Sequence, residues 1–284
     1  MVLHVLLAVF AIACFIPLIN VLSVSLTSQK SILQFGYRLI PKSWSGQAYR
    51  FLLDDAAQIG RSYGISVIVT AVGTIVSIVL TALYAYPLSR HDFPYRKHFA
   101  IFLFITMLFN GGLVPFYVLY TQYLHVRDSL IALILPYLVN PFYVIIMRTY
   151  ITSSVPDSLI EAAKLDGASE PFILIRIVFP VALPVFATVA LFVSIVYWND
   201  WFMSLLFISN PRNVSIQFYM YKTILNIQYM LINSNLAARM DISKIPTETV
   251  RMAMAIVGIG PIVFAYPFFQ RYFVKGLTLG AVKG

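Results

Sequence analysis

Charged side chains fall in a few clusters along this chain, and the stretches between clusters are apolar on every face. Before Lys30 there is no acid, lysine or arginine. None interrupts Arg61 to Arg90, Lys97 to Arg127, Asp128 to Arg148, Arg176 to Asp200 or Arg251 to Arg271. A helix crosses the hydrocarbon core of a bilayer with about 20 predominantly apolar residues, and each of these stretches is long enough. The pattern predicts six transmembrane helices, approximately residues 5–26, 62–89, 99–124, 129–147, 178–199 and 252–270, in one domain covering 1–284. Strands of an outer-membrane barrel would alternate over short segments of about ten residues. The expected fold class is an all-α integral membrane protein.

Composition supports lipid as the main solvent. The apolar fraction is 60%, the charged fraction 11% and the mean hydropathy +0.83, whereas soluble domains carry about a quarter charged residues. The first span lacks the basic flank of a secretory signal and outruns a signal core. Ala11-Ile12-Ala13-Cys14 is faintly like a lipoprotein cleavage box but reads better as small residues inside a membrane helix. A single cysteine allows no internal disulfide. The net charge of +9 suits contact with anionic membrane lipids, and nothing resembles a nucleic-acid module.

Between the spans lie two long loops, 27–60 and 201–250, and a polar loop, 153–180. Residues 48–57 carry a short helical signal, and Ile216 to Ile232 reads as a moderately amphipathic helix or helix pair. Counting lysine and arginine on alternate sides leaves orientation open, because the rule relating positive charge to the inner face concerns short loops. Tyr117, Tyr120, Tyr123, Trp198 and Trp201 are expected in an interfacial aromatic belt, with stacking on a sugar ring as the other use of such rings. Asn110-Gly111-Gly112 with Pro115 interrupts the third span, and Asn140-Pro141 the fourth. Broken helices either line a cavity or mark close packing with a kink. In the first case Asn110, Asn140, Tyr143 and Asn199 are the candidate pathway residues. Asp200, His98 and His125 sit at span boundaries and read as interfacial groups.

The loop 153–180 is built from helix signals. Ser154 with Asp157, or Ser158 with Glu161, can form a capping box, and Pro156 suits a first turn. Gly167 stands where a left-handed residue would end that helix, Ser169-Glu170-Pro171 starts another, and Pro180 marks the start of the fifth span. The order Glu161-Ala162-Ala163, Gly167, Ile177, Pro180 resembles the EAA loop of ABC importer permeases, with Phe179 where leucine is usual. Tyr86-Pro87-Leu88-Ser89-Arg90, Asn110 to Pro115, Trp198 to Phe202 and Gly276 to Gly284 extend the resemblance to the carbohydrate-uptake family. Within it, the chain is most similar to permeases of lipoprotein-dependent oligosaccharide importers.

The resemblance implies a type I importer permease fold with a cytoplasmic coupling helix between helices 4 and 5. The chain would sit in the cytoplasmic membrane with both termini on the cytoplasmic side, and 27–60 and 201–250 outside. It assigns ATPase coupling to Glu161, Ala162, Ala163, Asp166, Gly167, Ile177 and Pro180. In this scheme Ala162 and Ala163 allow close approach, and Glu161 offers a carboxylate to a basic group. The implied partners are a second, different but homologous permease chain, two ATPase subunits and a solute-binding protein. The substrate would be a sugar or oligosaccharide, and relatives that import fragments of acidic polysaccharides such as alginate are compatible with the basic outer loops. The chain itself has no Walker loop, no metal-ligand spacing and no charge within the spans of the kind ion-coupled carriers bury. It is therefore expected to be non-catalytic and to bind no cofactor, ATP and Mg being used by the partner ATPase. The alternative is a stand-alone carrier or channel for small polar solutes.

Overall fold

The computed structural model describes residues 2–232, 247–260 and 267 of the chain. Helices account for nearly all of its regular structure. In chain order they are α1 (Val2–Ser25), α2 (Gln29–Phe35), α3 (Gln47–Leu53), α4 (Ala56–Ser89), α5 (Arg96–Leu108), α6 (Leu113–Val118) and α7 (Ile131–Ile134). Then follow α8 (Pro141–Ser154), α9 (Asp157–Leu165), α10 (Glu170–Ile173), α11 (Phe179–Val181), α12 (Leu183–Asn199), α13 (Phe202–Phe207) and α14 (Ile216–Ile232). Residues 247–260 are also helical. Among the described residues the only β pairing is an isolated bridge between Thr27 and Trp44.

The described residues divide into two compact units, one formed by the stretches before Gly64 and after Asn213 through residue 260, the other by Gly64–Asn213. In the first, α1 is apolar and exposed along its length, burying only Ser23, Val24 and Ser25. Such a surface is stable in lipid and not in water. The 27–60 loop is more ordered than its sequence suggests. Ser28 caps α2, its hydroxyl accepting from the Ser31 N–H at 3.3 Å, and Gly36 ends that helix with φ +70°. Hydrogen bonds then fasten the loop to the later helices. Gln29 donates to Thr247 at 3.1 Å, Tyr37 to Glu248 at 2.8 Å, and Tyr219 to Asp55 at 2.6 Å. The helical signal at 48–57 resolves into α3 and the start of α4, so the second span's helix begins at Ala56 rather than 62. The run Ile216 to Ile232 is one helix.

In the second unit the expected spans are broken more sharply than the sequence indicates. The pair Arg96–Leu108 and Leu113–Tyr123 bends by 111°. The reason is local: Gly112 takes φ +84°, and the Asn110 side chain accepts its N–H at 2.8 Å. The pair Ile131–Tyr137 and Pro141–Ser154 bends by 51°, and Glu170–Val181 and Leu183–Asn199 by 86°. That last break corrects the expected start of the fifth span. Pro180 lies on the approach segment, and the turn comes at the buried Ala182, with Pro184 opening α12.

Helices α1 and α4 are each long and apolar enough to cross a membrane, and each bent pair suffices if taken as one span. The sixth expected span, 252–270, is helical through 260, and apart from Pro267 its remainder lies outside the described residues. The aromatic belt also divides. Tyr120 is buried with its ring 4.6 Å from Phe116 and 5.3 Å from Phe207, and Trp198 is buried in α12, whereas Tyr123 is 75% exposed. The segment Leu119–Tyr123 is a π-helical turn, which winds more residues into each turn than an α-helix does.

Candidate functional site

Helix α9 lies outside the expected spans, and its nine residues present two faces. Ile160 and Ala163 are buried against the rest of the chain, while Glu161, Ala162 and Leu165 are exposed. The two alanines therefore have different roles: Ala162 faces outward, and Ala163 packs inward. Leu165 is 90% exposed and stands as an apolar knob on the outward face. Asp166 occupies the C-cap position, and Gly167 follows with φ +80°. The Gly167 N–H donates to the Lys164 carbonyl at 3.0 Å and the Ala168 N–H to the Ala163 carbonyl at 2.9 Å. This pair of bonds is a Schellman motif, which ends a helix where the next residue can adopt a left-handed conformation. Ile177 is half-buried in the π-helical segment Leu174–Val178, and Pro180 is exposed in α11.

No capping box forms at the start of α9. Pro156 takes the cap position without a side-chain bond, and the Asp157 carboxylate instead meets Arg90. Arg90 Nη1 donates to Asp157 Oδ1 at 3.0 Å, and its Nε to Asp92 Oδ1 at 3.1 Å. At the other end of α9, Lys164 Nζ bridges Asp92 at 2.7 Å and Glu170 at 2.8 Å. Tyr86 Oη completes the group by donating to the other Glu170 oxygen at 2.5 Å. The Lys164 hydrogen bond, with support from Arg90, holds the Asp92 carboxyl down at about 2. Lys164 is raised in turn by its bonds to Asp92 and Glu170. Burial works against the Glu170 carboxylate, but hydrogen bonds from Lys164 and Tyr86 outweigh it and leave its pKa lowered. Sequence reading missed this cluster. Its only signals were an aspartate inside a basic turn and the arginine ending Tyr86 to Arg90.

The pathway candidates separate. Asn140 and Tyr143 line one cavity of about 270 Å³ together with Thr106, Met107, Tyr137 and Val193. Asn110 and Asn199 are not in its wall. Asn110 is used locally to stabilise the Gly112 turn, and Asn199 donates to the Ile195 carbonyl at 3.0 Å. Asp200 is also engaged, accepting from Tyr137 at 2.9 Å and from the Met203 N–H at 3.2 Å. Among the described residues no group of three His, Cys, Asp or Glu side chains could hold a metal ion.

The chain is 36% identical to the polygalacturonan/rhamnogalacturonan transport system permease protein YtcP of Bacillus subtilis (strain 168), over 98% of this chain and 96% of that one. It is 27% identical to the arabinooligosaccharides transport system permease protein AraQ of Halalkalibacterium halodurans, over 97% of this chain and 94% of that one. A solved bacterial ABC transporter involved in the import of the acidic polysaccharide alginate has a chain that superposes with a TM-score of 0.80 at 29% identity. That match covers 96% of this chain and 95% of that chain. The family gives no support to a stand-alone carrier or channel. With residues 98–279 matching the family described as "binding-protein-dependent transport system inner membrane component", the chain belongs to that family and is a multi-pass permease subunit of an ABC transport complex.

Proposed function

We propose that this subunit forms half of the pathway for an oligosaccharide released from an acidic polysaccharide and delivered by a solute-binding protein. Transport is driven through the outward face of α9 by a separate ATPase subunit. The observation that carries the coupling reading is the division of α9 into a pinned inner face and an exposed outer one bearing Glu161, Ala162 and Leu165. A helix lying outside the spans with a protruding leucine is suited to a cleft on a partner, where apolar burial gives affinity and one carboxylate gives orientation. In this reading α9 and both termini are cytoplasmic, and the loops 27–60 and 201–250 are outside. Two ATPase subunits bind ATP and Mg, this chain binds neither, and the second permease is a different homologous chain.

The substrate class rests on the polygalacturonan and alginate systems to which the chain is similar and on its net charge of +9. The experiment is co-purification and uptake with the whole transporter. Glu161→Lys, Leu165→Asp and Gly167→Pro should each lose both the ATPase subunit and uptake. Gly167→Pro acts by removing the N–H that bonds Lys164 and by forbidding the positive φ. Normal ATPase recovery in Glu161→Lys and Leu165→Asp would defeat the assignment.

A further inference from the structure

We propose that Arg90, Asp92 and Lys164 are positioning residues that make α9 and the end of α4 a single mechanical body. This rests on the reading of α9 as the ATPase-coupling helix.

Covalently, α9 is joined to α8 through Val155-Pro156 and to α10 through the Gly167 turn. No short connection joins it to α4. Yet both of its ends grip the same short segment, the turn that follows α4. Asp157, its first residue, holds Arg90, and Lys164, one from its last, holds Asp92. Attachment at one end would leave the helix free to pivot, whereas attachment at both ends removes that rotation.

The inward packing of Ile160 and Ala163 resists separation but not sliding, since apolar contact is non-directional. Hydrogen-bonded ion pairs supply the missing direction. The Arg90 side chain is only 9% exposed, and its planar fork reaches two carboxylates from separate nitrogens. Lys164 carries the link on to Glu170 at the start of α10, and Tyr86 in the last turns of α4 closes it from the far side. A push on α9 is thereby delivered to α4 directly, in addition to the two helices its chain connections reach.

The test uses the complete transporter reconstituted in vesicles. Asp92→Asn keeps the side chain's shape and removes its charge. It should retain the ATPase subunit on purification, while uptake per ATP hydrolysed falls roughly tenfold, the scale on which such networks modulate coupling. In a Cys14→Ser background, which removes the chain's one cysteine, Asp92→Cys with Lys164→Cys should be similarly uncoupled. Joining the two thiols with a bifunctional reagent that spans the pair should then restore uptake.

Arrest of transport by that cross-link would overturn the proposal, because it would mean the two elements must separate during the cycle. An unchanged uptake-to-hydrolysis ratio in Asp92→Asn would overturn it as well. So would loss of the ATPase subunit in Asp92→Asn, which would place Asp92 in the docking surface. Failure of the coupling-helix reading itself looks different: Glu161→Lys would then keep the ATPase subunit whatever the cross-link does.

Discussion

A methyl group added at Gly73 would stand 2.5–2.8 Å from ring atoms of Tyr197, so α4 and α12 touch there through a missing side chain. The ring has no easy escape. It is buried, its hydroxyl donates to the Ile134 carbonyl at 2.7 Å, and its centroid is 5.6 Å from that of Tyr137 in an edge-to-face pair. Gly73, Ser77, Thr81 and Ala85 recur every four residues on the buried face of α4. Small residues at that spacing let membrane helices approach closely. Gly73→Ala is expected to destabilise the subunit by about 1–3 kcal/mol through overpacking, read as a lower melting temperature of the purified protein. Tyr197→Leu in the same chain should recover part of the loss. A Gly73→Ala chain that melts like the unaltered one would show that the helices are further apart than described.

At the scale of elements, the cluster joining α4, α9 and α10 should respond to pH in a definite direction. The Asp92 carboxyl is held at about 2, chiefly by Lys164, below the ordinary aspartate value of about 3.9. Its contribution to stability is therefore complete above the ordinary value and lost as the pH falls through the folded one. Lys164 is shifted upward by Asp92 and Glu170. Its contribution is complete below the ordinary lysine value of about 10.4 and lost as the pH rises past the folded one. Between those limits the cluster is indifferent to pH. The melting difference between the unaltered chain and Asp92→Asn should be flat from about pH 5 to 8 and shrink below about pH 4. Because the three carboxylates are about half exposed, the difference should be small, about 1 kcal/mol or less. A difference that grows on acidification would contradict the pairing. In the proposed coupling these ion pairs would act through the direction they impose more than through their strength.

For the whole molecule, the proposed function has the pathway completed by another permease chain of the transport complex. In that reading this subunit's share of the pathway is the cavity of about 270 Å³ walled by Asn140 and Tyr143. Tyr143→Ala should raise the KM for uptake several-fold by removing a polar partner for substrate hydroxyls, and Asn140→Ala should do so while also lowering folding yield, because its Oδ1 accepts from the Phe142 N–H at 2.9 Å and caps α8. Asn110→Ala and Asn199→Ala, whose side chains lie outside this cavity's wall, should change folding yield more than KM. Equal KM effects for all four would detach the pathway from this cavity.

The sequence by itself determined that the fold is all-α with several long apolar helices, and where the helix-breaking residues lie. Burying an unpaired charge or a free backbone amide in hydrocarbon is so costly that it is avoided almost everywhere, which makes spacing along the chain sufficient evidence. The Gly167 turn was legible for a similar reason, since a Schellman motif is closed by neighbours within six residues. Tertiary structure alone decided the rest. Whether Tyr120 and Trp198 sit in a belt or a core, which of Ala162 and Ala163 faces outward, and that the fifth span turns at Ala182 depend on packing partners remote in sequence. Arg90 and Asp157 are separated by 67 positions, and no local pattern relates them. Their pairing exists only because the folded helices bring the end of α4 to the first turn of α9.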